Sequence, residues 1–149
     1  MARVVVQRVR SASVDVGDER VASIGPGCAI LVGIAEDDTA SAVEHLADKV
    51  AVLRIFADET GKMNRSAAEA SGDMLVISQF TLYGDVRKGR RPSFTRAAHA
   101  ELGEQLYQRF VQRLAHHGYH VARGRFGAQM VLTLENDGPV TLIVDSSDL

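Results

Sequence analysis

A single cysteine, Cys28, is the first thing this 149-residue sequence is short of. One thiol closes no internal disulfide, and its neighbours in the run Cys28–Ala35 (CAILVGIA) are apolar, so it reads as a small buried hydrophobe in a reducing compartment. Long hydrophobic stretches are missing too. That run is far shorter than the roughly 20 residues a spanning helix needs, which excludes a transmembrane helix. The opening MARVVVQRVRSASVDV breaks its valines with Gln7, Arg8 and Arg10 and lacks the apolar centre of a signal peptide, so a cytoplasmic location is expected. Charge of one sign is absent as well: 17 basic residues stand against 19 acidic ones, for a net charge of -2, which argues against a general nucleic-acid or membrane-surface binder. Without linkers, repeats or low-complexity tracts, residues 1–149 read as one domain, long enough to bury about two-thirds of the surface its unfolded chain exposes.

Several kinds of chemistry are also missing. Neither Cys28 nor the histidines (His45, His99, His116, His117 and His120) follow a metal-ligand spacing, and no carboxylate pair has general acid and base spacing. His45, His99, His116 and His117 fall on or at the ends of expected helices, where surface or capping roles suit them. No metal and no cofactor are expected.

What remains is mainly β. Arg3 to Val16 alternates valines with polar residues and changes phase near Arg10–Ser13, the pattern of a long half-buried strand with a bulge or bend. Arg20–Ile24 returns after a turn at Gly17-Asp18-Glu19, and Cys28–Ile34 is a continuous apolar strand covered on both faces. Val43, Leu46, Val50 and Leu53 predict an amphipathic helix from Ala40 to Arg54, with N-cap candidates in Asp37-Asp38-Thr39. A short hairpin turns at Glu59-Thr60-Gly61, and Asp73–Leu82 reads as an apolar strand. A second helix, capped by Ser93 or Thr95 and using Phe94, Leu102, Leu106, Phe110, Val111 and Leu114, stops at Gly118. Strands near His120–Arg123, Gln129–Glu135 and Val140–Val144 close the chain, the last two joined by a turn at Asp137-Gly138-Pro139. The order gives an α/β protein with two helices on one side of mixed sheets.

Three segments could carry chemistry. Ser78-Gln79-Phe80-Thr81-Leu82 closes a strand, where hydroxyls, an amide and the chain N–H groups of Phe80 and Thr81 could meet a developing oxyanion; local sequence alone favours a plain strand end with satisfied hydroxyls. Thr81 as a nucleophile would need a base, and no histidine is tied to it by spacing. Asn136-Asp137-Gly138-Pro139-Val140-Thr141 has the composition of a hairpin turn. Arg87–Arg96 (RKGRRPSFTR) holds five cations and no acid: either solvated surface or a phosphate-contacting loop, the Arg excess being partly general, with 14 arginines to three lysines.

Together these segments resemble the D-aminoacyl-tRNA deacylase (D-tyrosyl-tRNA deacylase) family along essentially the whole chain: VVVQRV, RIF before DETGKMN, VISQFTLYGD, KGRRPSF, GRFGAQM and NDGPVT. The resemblance implies a three-layer α/β/β fold, a homodimer with active sites at the interface, and hydrolysis of the ester joining a D-amino acid to the 3′ end of tRNA. Ser78, Gln79, Phe80 and Thr81 would be catalytic, with main chain at Phe80 and Thr81 binding the ester carbonyl. The ribose 2′-hydroxyl of the terminal adenosine would position or activate water. Gly138-Pro139 would be a cis dipeptide inserted into the other subunit's site, rejecting L substrates by main chain and passing glycyl-tRNA. Arg8 would brace that segment, Phe126 and Met130 would line the adenosine pocket, and Asn136 would bind beside them. Lys88, Arg90 and Arg91 would touch tRNA. Ser78 and Phe80 argue against a sibling family with Pro-Gln-Ala-Thr at the first signature, while Tyr83-Gly84-Asp85 has glycine where alanine is frequent. Two rivals remain open at this stage: a non-catalytic nucleic-acid-binding protein using the 87–96 loop, and a small-molecule esterase using Thr81.

Overall fold

The computed structural model describes all 149 residues. Its longest early element is strand β1 (Arg3–Val16), followed by β2 (Glu19–Ile24) and β3 (Gly27–Gly33). Helix α1 (Ala40–Ala51) leads to a two-strand hairpin, β4 (Phe56–Ala57) and β5 (Met63–Arg65), and then to β6 (Asp73–Ser78). Helix α2 (Ala100–His116), β7 (Val121–Arg123) and β8 (Val131–Asp145) complete the chain. The sheet runs β2-β1-β3-β6-β7, and β8 pairs with β1. The β3–β6 and β6–β7 pairs are parallel while β1 runs antiparallel to β2, β3 and β8, so the sheet is mixed and the fold is α/β.

The change of phase in β1 marks a division of labour along one strand. Residues 3–9 pair with β3, and residues 12–16 pair with β2. Between them Arg10 faces solvent, and the ladder to β8 shifts register on both sides of Val9. Two cores result. Val4, Val6, Ile30, Val32, Met74 and Val76 point to one face and pack on α1 and α2. Ala29, Leu75 and Ile77, on the opposite face of β3 and β6, pack on Val9, Ala12, Val14 and Ile24, where the far half of β1 with β2 folds over. Helices, central strands and folded-over strands thus form three layers. Because β3 and β6 are covered on both sides, they need the continuous apolar runs seen in their sequences.

Both helices are crossovers between parallel neighbours and lie on one face. Thr39 caps α1, its hydroxyl accepting from Ala42 N–H at 3.2 Å. The neighbouring cap candidate Asp38 instead accepts from Ala35 N–H at 2.7 Å. Three expectations need correction. Helix α1 ends at Ala51 rather than Arg54, where Val52 N–H turns back to Lys49 O and Leu53 N–H to Val50 O, both at 3.3 Å. Helix α2 does not start from Ser93 or Thr95: backbone bonds from Ala97 N–H to Phe94 O and from Ala98 N–H to Ile34 O hold that stretch outside the helix, and His99 Nδ1 caps α2 by accepting from Leu102 N–H at 3.4 Å. The two closing strands are one strand, β8, paired with β1 on both sides of Asp137–Val140, which are extruded from it rather than reversing it.

The helices are tied by charge as well as by apolar packing. Asp48 of α1 accepts from Arg113 Nε at 2.6 Å and Nη2 at 3.0 Å, and lies 2.7 Å from His117 Nε2. These bonds, Arg113 first, hold the Asp48 carboxyl down at about 2. A carboxylate with a depressed folded-state pKa stabilises the fold above its unfolded value, near 3.9, and loses that contribution as pH falls towards 2. Thermal melts between pH 4 and 2 are therefore expected to show a smaller pH-dependent loss of stability in Asp48→Asn than in wild type, although the variant starts from a lower Tm at neutral pH.

Candidate active site

The apolar strand β6 ends at Ser78 rather than Leu82. Gln79 N–H still donates to Val32 O at 2.8 Å, continuing the pairing with β3, and Phe80–Tyr83 then coil into a single 3-10 turn. The first internal bond of that turn is Leu82 N–H to Gln79 O at 3.3 Å, so the amides of Phe80 and Thr81 precede it at its open end. Beside them lies a cavity of about 450 Å³ lined by Ser78, Gln79 and Phe80 on one wall and Phe126 and Met130 on another, with Ile77, Leu132 and the small residues Ala98, Ala100, Gly127 and Ala128 between. None of these residues is ionisable.

The two bulky walls are seated on glycines. A Cβ at Gly124 would stand 2.6 Å from Met130 Sδ, so the bare glycine leaves Met130 its place next to Ile77. The Phe126 ring rests on Gly103 of α2, where a Cβ would lie 3.6 Å from its Cζ, and on the Tyr107 ring with centroids 6.0 Å apart. Tyr107 is fixed in turn by its hydroxyl donating to Val76 O at 2.8 Å; burial pushes that hydroxyl's pKa up to about 12, so it remains a donor. Gly124, Gly103 and the alanines of the lining were not singled out from sequence. Only their three-dimensional neighbours give them meaning.

Thr81 is exposed beside the cavity, and its Oγ1 accepts from the Gln79 side-chain amide. No histidine or carboxylate bonds to it. Across the chain no three His, Cys, Asp or Glu side chains gather as a metal-binding group. Cys28 is buried, and burial pushes its thiol up to about 12, which leaves it unreactive.

Arg8, Asn136, Gly138 and Pro139 form a separate cluster. The start of β8 reaches the cavity through Leu132, but none of the four lines the cavity of its own chain. The extruded segment is held from below. Asn136 Nδ2 donates to Arg8 O at 2.9 Å and to Val140 O at 3.0 Å, and Thr141 Oγ1 donates to Asn136 Oδ1 at 3.1 Å. Arg8 Nη1 donates to Ile55 O at 2.6 Å, and its Nε stands at ion-pair distance, 3.3 Å, from Asp137 Oδ2, outside hydrogen-bond geometry. The Gly138–Pro139 peptide bond is cis, and both residues are exposed.

Lys88, Arg90 and Arg91 lie together on a third feature, a lobe closed at its root by Asp85 N–H to Ser93 O at 2.7 Å and Ser93 N–H to Asp85 O at 2.9 Å. Arg87 folds back on Asp85 with contacts of 2.9 and 2.6 Å and holds that carboxyl near 2, while Lys88, Arg90 and Arg91 have no ion-pair partner.

With this geometry in place, comparison with known proteins is specific. A family model described as D-Tyr-tRNA(Tyr) deacylase matches residues 5–145. The D-aminoacyl-tRNA deacylase of Symbiobacterium thermophilum is 58% identical over 144 residues, covering 97% of this chain and 95% of that protein. The chain belongs to the D-aminoacyl-tRNA deacylase family. That family is one of hydrolases. Among solved structures, one described as a c-Myc DNA Unwinding Element Binding Protein superposes with a TM-score of 0.89 at 40% identity, covering 96% of this chain and 97% of that one. Another, described as a probable eukaryotic D-amino acid tRNA deacylase, shares the fold with a TM-score of 0.84 at 21% identity, over 96% and 98% of the two chains.

Gly138 is the most constrained position of the extruded segment. Its φ of +117° disfavours a side chain, and a Cβ there would stand 2.9 Å from Val140 Cγ2 and 3.0 Å from Arg8 Nη2. In urea denaturation Gly138→Ala is expected to lose about 1–3 kcal/mol. Gly61→Ala, also at positive φ but with open space around it, should lose less.

Proposed function

We propose that this protein hydrolyses the ester of D-aminoacyl-tRNA to free D-amino acid and tRNA, acting as a chiral proofreader of translation in the cytoplasm. The observation that carries the reading is the convergence of Ser78, Gln79 and Phe80 with Phe126 and Met130 around one non-ionisable cavity. The terminal adenosine enters that cavity with its base between Phe126 and Met130. The ester carbonyl then lies at the amides of Phe80 and Thr81, which stabilise the oxyanion as water adds to the carbonyl carbon. Collapse breaks the bond to the ribose 3′ oxygen, which leaves with a proton. With no side-chain base in the lining, the neighbouring 2′-hydroxyl of the substrate positions the attacking water.

Selectivity comes from a second copy of the chain. The Gly138-Pro139 segment stands exposed on its own subunit, outside the lining of its own cavity, and a homodimer brings it into the partner's site, braced by Arg8 and Asn136. Main-chain carbonyls there face the substrate α-carbon and leave no room for an L side chain. A D side chain points away, and glycine has none, so glycyl-tRNA is also a substrate. The homodimer is supported by β8, whose outer edge pairs with nothing and which exposes Val131, Leu142 and Ile143. Lys88, Arg90 and Arg91 supply the contacts to tRNA phosphates that a net charge of -2 conceals.

A covalent role for Thr81 ranks second. Its oxygen accepts a bond from the Gln79 amide, which draws electron density away, the opposite of what an adjacent base would do.

Incubation with D-Tyr-tRNA and L-Tyr-tRNA is expected to release the D amino acid at least ~100-fold faster, a discrimination of about 2.7 kcal/mol. Equal rates, or binding without turnover, would sink the reading, and efficient cleavage of a free D-tyrosine methyl ester would favour the small-molecule esterase. Thr81→Ala should retain activity within about tenfold; a loss of ~10⁴-fold with a trapped acyl-enzyme would establish covalent catalysis instead.

A further inference from the structure

Phe94 sits where the basic lobe meets the cavity. It follows Ser93, the residue that closes the lobe, and its ring packs edge-to-face on Phe80 with centroids 5.1 Å apart and planes at 71°. Phe80 forms part of the cavity wall. Gly84 permits the arrangement, since a Cβ there would stand 3.2 Å from Phe94 Cε1. Both rings remain open to solvent, Phe80 by 56% and Phe94 by 36%. Paired apolar rings left uncovered at a cavity mouth mark a place where something binds.

The surroundings decide what kind of partner this is. Residues 86–92 carry Arg87, Lys88, Arg90 and Arg91 and no acid, and only Arg87 is neutralised, by Asp85. An aromatic face beside unpaired cations is the arrangement that holds single-stranded nucleic acid: the ring stacks a base while the cations take the flanking phosphates. A duplex hides its base faces and could not use the ring, and an apolar protein segment would leave three cations without partners.

We infer that Phe94 is the stacking platform for the unpaired nucleotide preceding the terminal adenosine of tRNA, with the 86–92 lobe binding the phosphates beside it. The inference rests on the deacylase reading and adds to it a second nucleotide site. The enzyme then grips the last nucleotides of the unpaired tail at two aromatic stations, Phe126 inside the cavity and Phe94 at its rim, before any part of the acceptor stem is engaged. Phe94 is in this role a binding residue, separated from the reacting ester by Phe80.

The test compares kcat/KM on two substrates, D-tyrosyl-adenosine and the same ester on the trinucleotide cytidine-cytidine-adenosine, and reads their ratio within each protein. Wild type is expected to prefer the trinucleotide by roughly 5- to 150-fold, the value of one stacked base. Phe94→Leu, which stays apolar but cannot stack, should bring the ratio close to one, and Phe94→Tyr should restore it. A ratio unchanged in Phe94→Leu overturns the inference, as does a parallel loss on both substrates, which would mean that Phe94 only supports Phe80. If wild type cleaves neither these esters nor D-Tyr-tRNA, the deacylase reading itself falls, and this inference with it.

Discussion

Strand β1 is hydrogen-bonded to three other strands, and the two cores and the extruded segment of β8 follow from that sharing. Its first half needs β3 on one side and β8 on the other; its second half exchanges β3 for β2 while keeping β8. A flat strand could not do this without exposing one set of valines. The phase change that places Val4 and Val6 against the helices and Val9, Ala12 and Val14 against the second layer is what lets a 14-residue strand serve two cores. The same bend displaces the β8 ladder, so that Asn136 pairs opposite Val9 while Thr141 pairs opposite Gln7. The intervening residues have to bulge outwards, and Gly138-Pro139 is the tip of that bulge.

No residue of this bulge lines the cavity, which lies at the carboxyl end of strand β6, a region where chain ends and loops commonly gather around ligands. Its construction relies on absences of side-chain bulk as much as on contacts. Gly124 makes room for Met130, and the lining contains no group that can ionise. Several groups with displaced pKa values are structural: Asp48 ties the helices, Asp85 closes the root of the lobe, and Cys28 and Tyr107 are buried. Perturbed titration in these groups reports on tethers and burial and does not mark the cavity lining.

Much of the fold was legible because periodicity is set by burial. The valines of β1, the unbroken apolar run of β3 and the three- and four-residue spacing of α1 and α2 each state which faces are covered, and the structure covers them. The start of α2 was not legible. Ser93 and Thr95 are ordinary cap residues, but Phe94 between them is committed to Phe80, and the Ala97 and Ala98 amides bond to Phe94 and Ile34 before the helix can begin. His99, a less common cap, takes over. Likewise Asn136-Asp137-Gly138-Pro139 has the residues of a reversing turn, and nothing local says that the chain on both sides pairs with one strand in one direction. That depends on β1, 130 residues away. The cavity-forming residues divide similarly: Ser78-Gln79-Phe80 could be found as a motif at a strand end, whereas Gly124 and Ala98 matter only through what they leave empty.

On the proposed reading, the handedness problem would explain why these features go together. A site that accepts many D side chains cannot hold them by complementary side chains, since each contact that fits one would reject another. What all the acceptable substrates share is the ester, the α-carbon and the nucleotide that carries them. Recognition therefore has to be concentrated on the nucleotide, where apolar walls and stacking faces are available, and on the α-carbon, where rigid main chain can measure the direction in which a side chain leaves. The seated rings of Phe126 and Phe94 suit the first task, and the tethered Gly138-Pro139 bulge suits the second. On that reading rigidity would be the common requirement, since a main-chain filter that retreated by an ångström would admit the L form, and the bulge is bound from below by Asn136, Arg8 and Thr141 rather than left as an ordinary exposed loop.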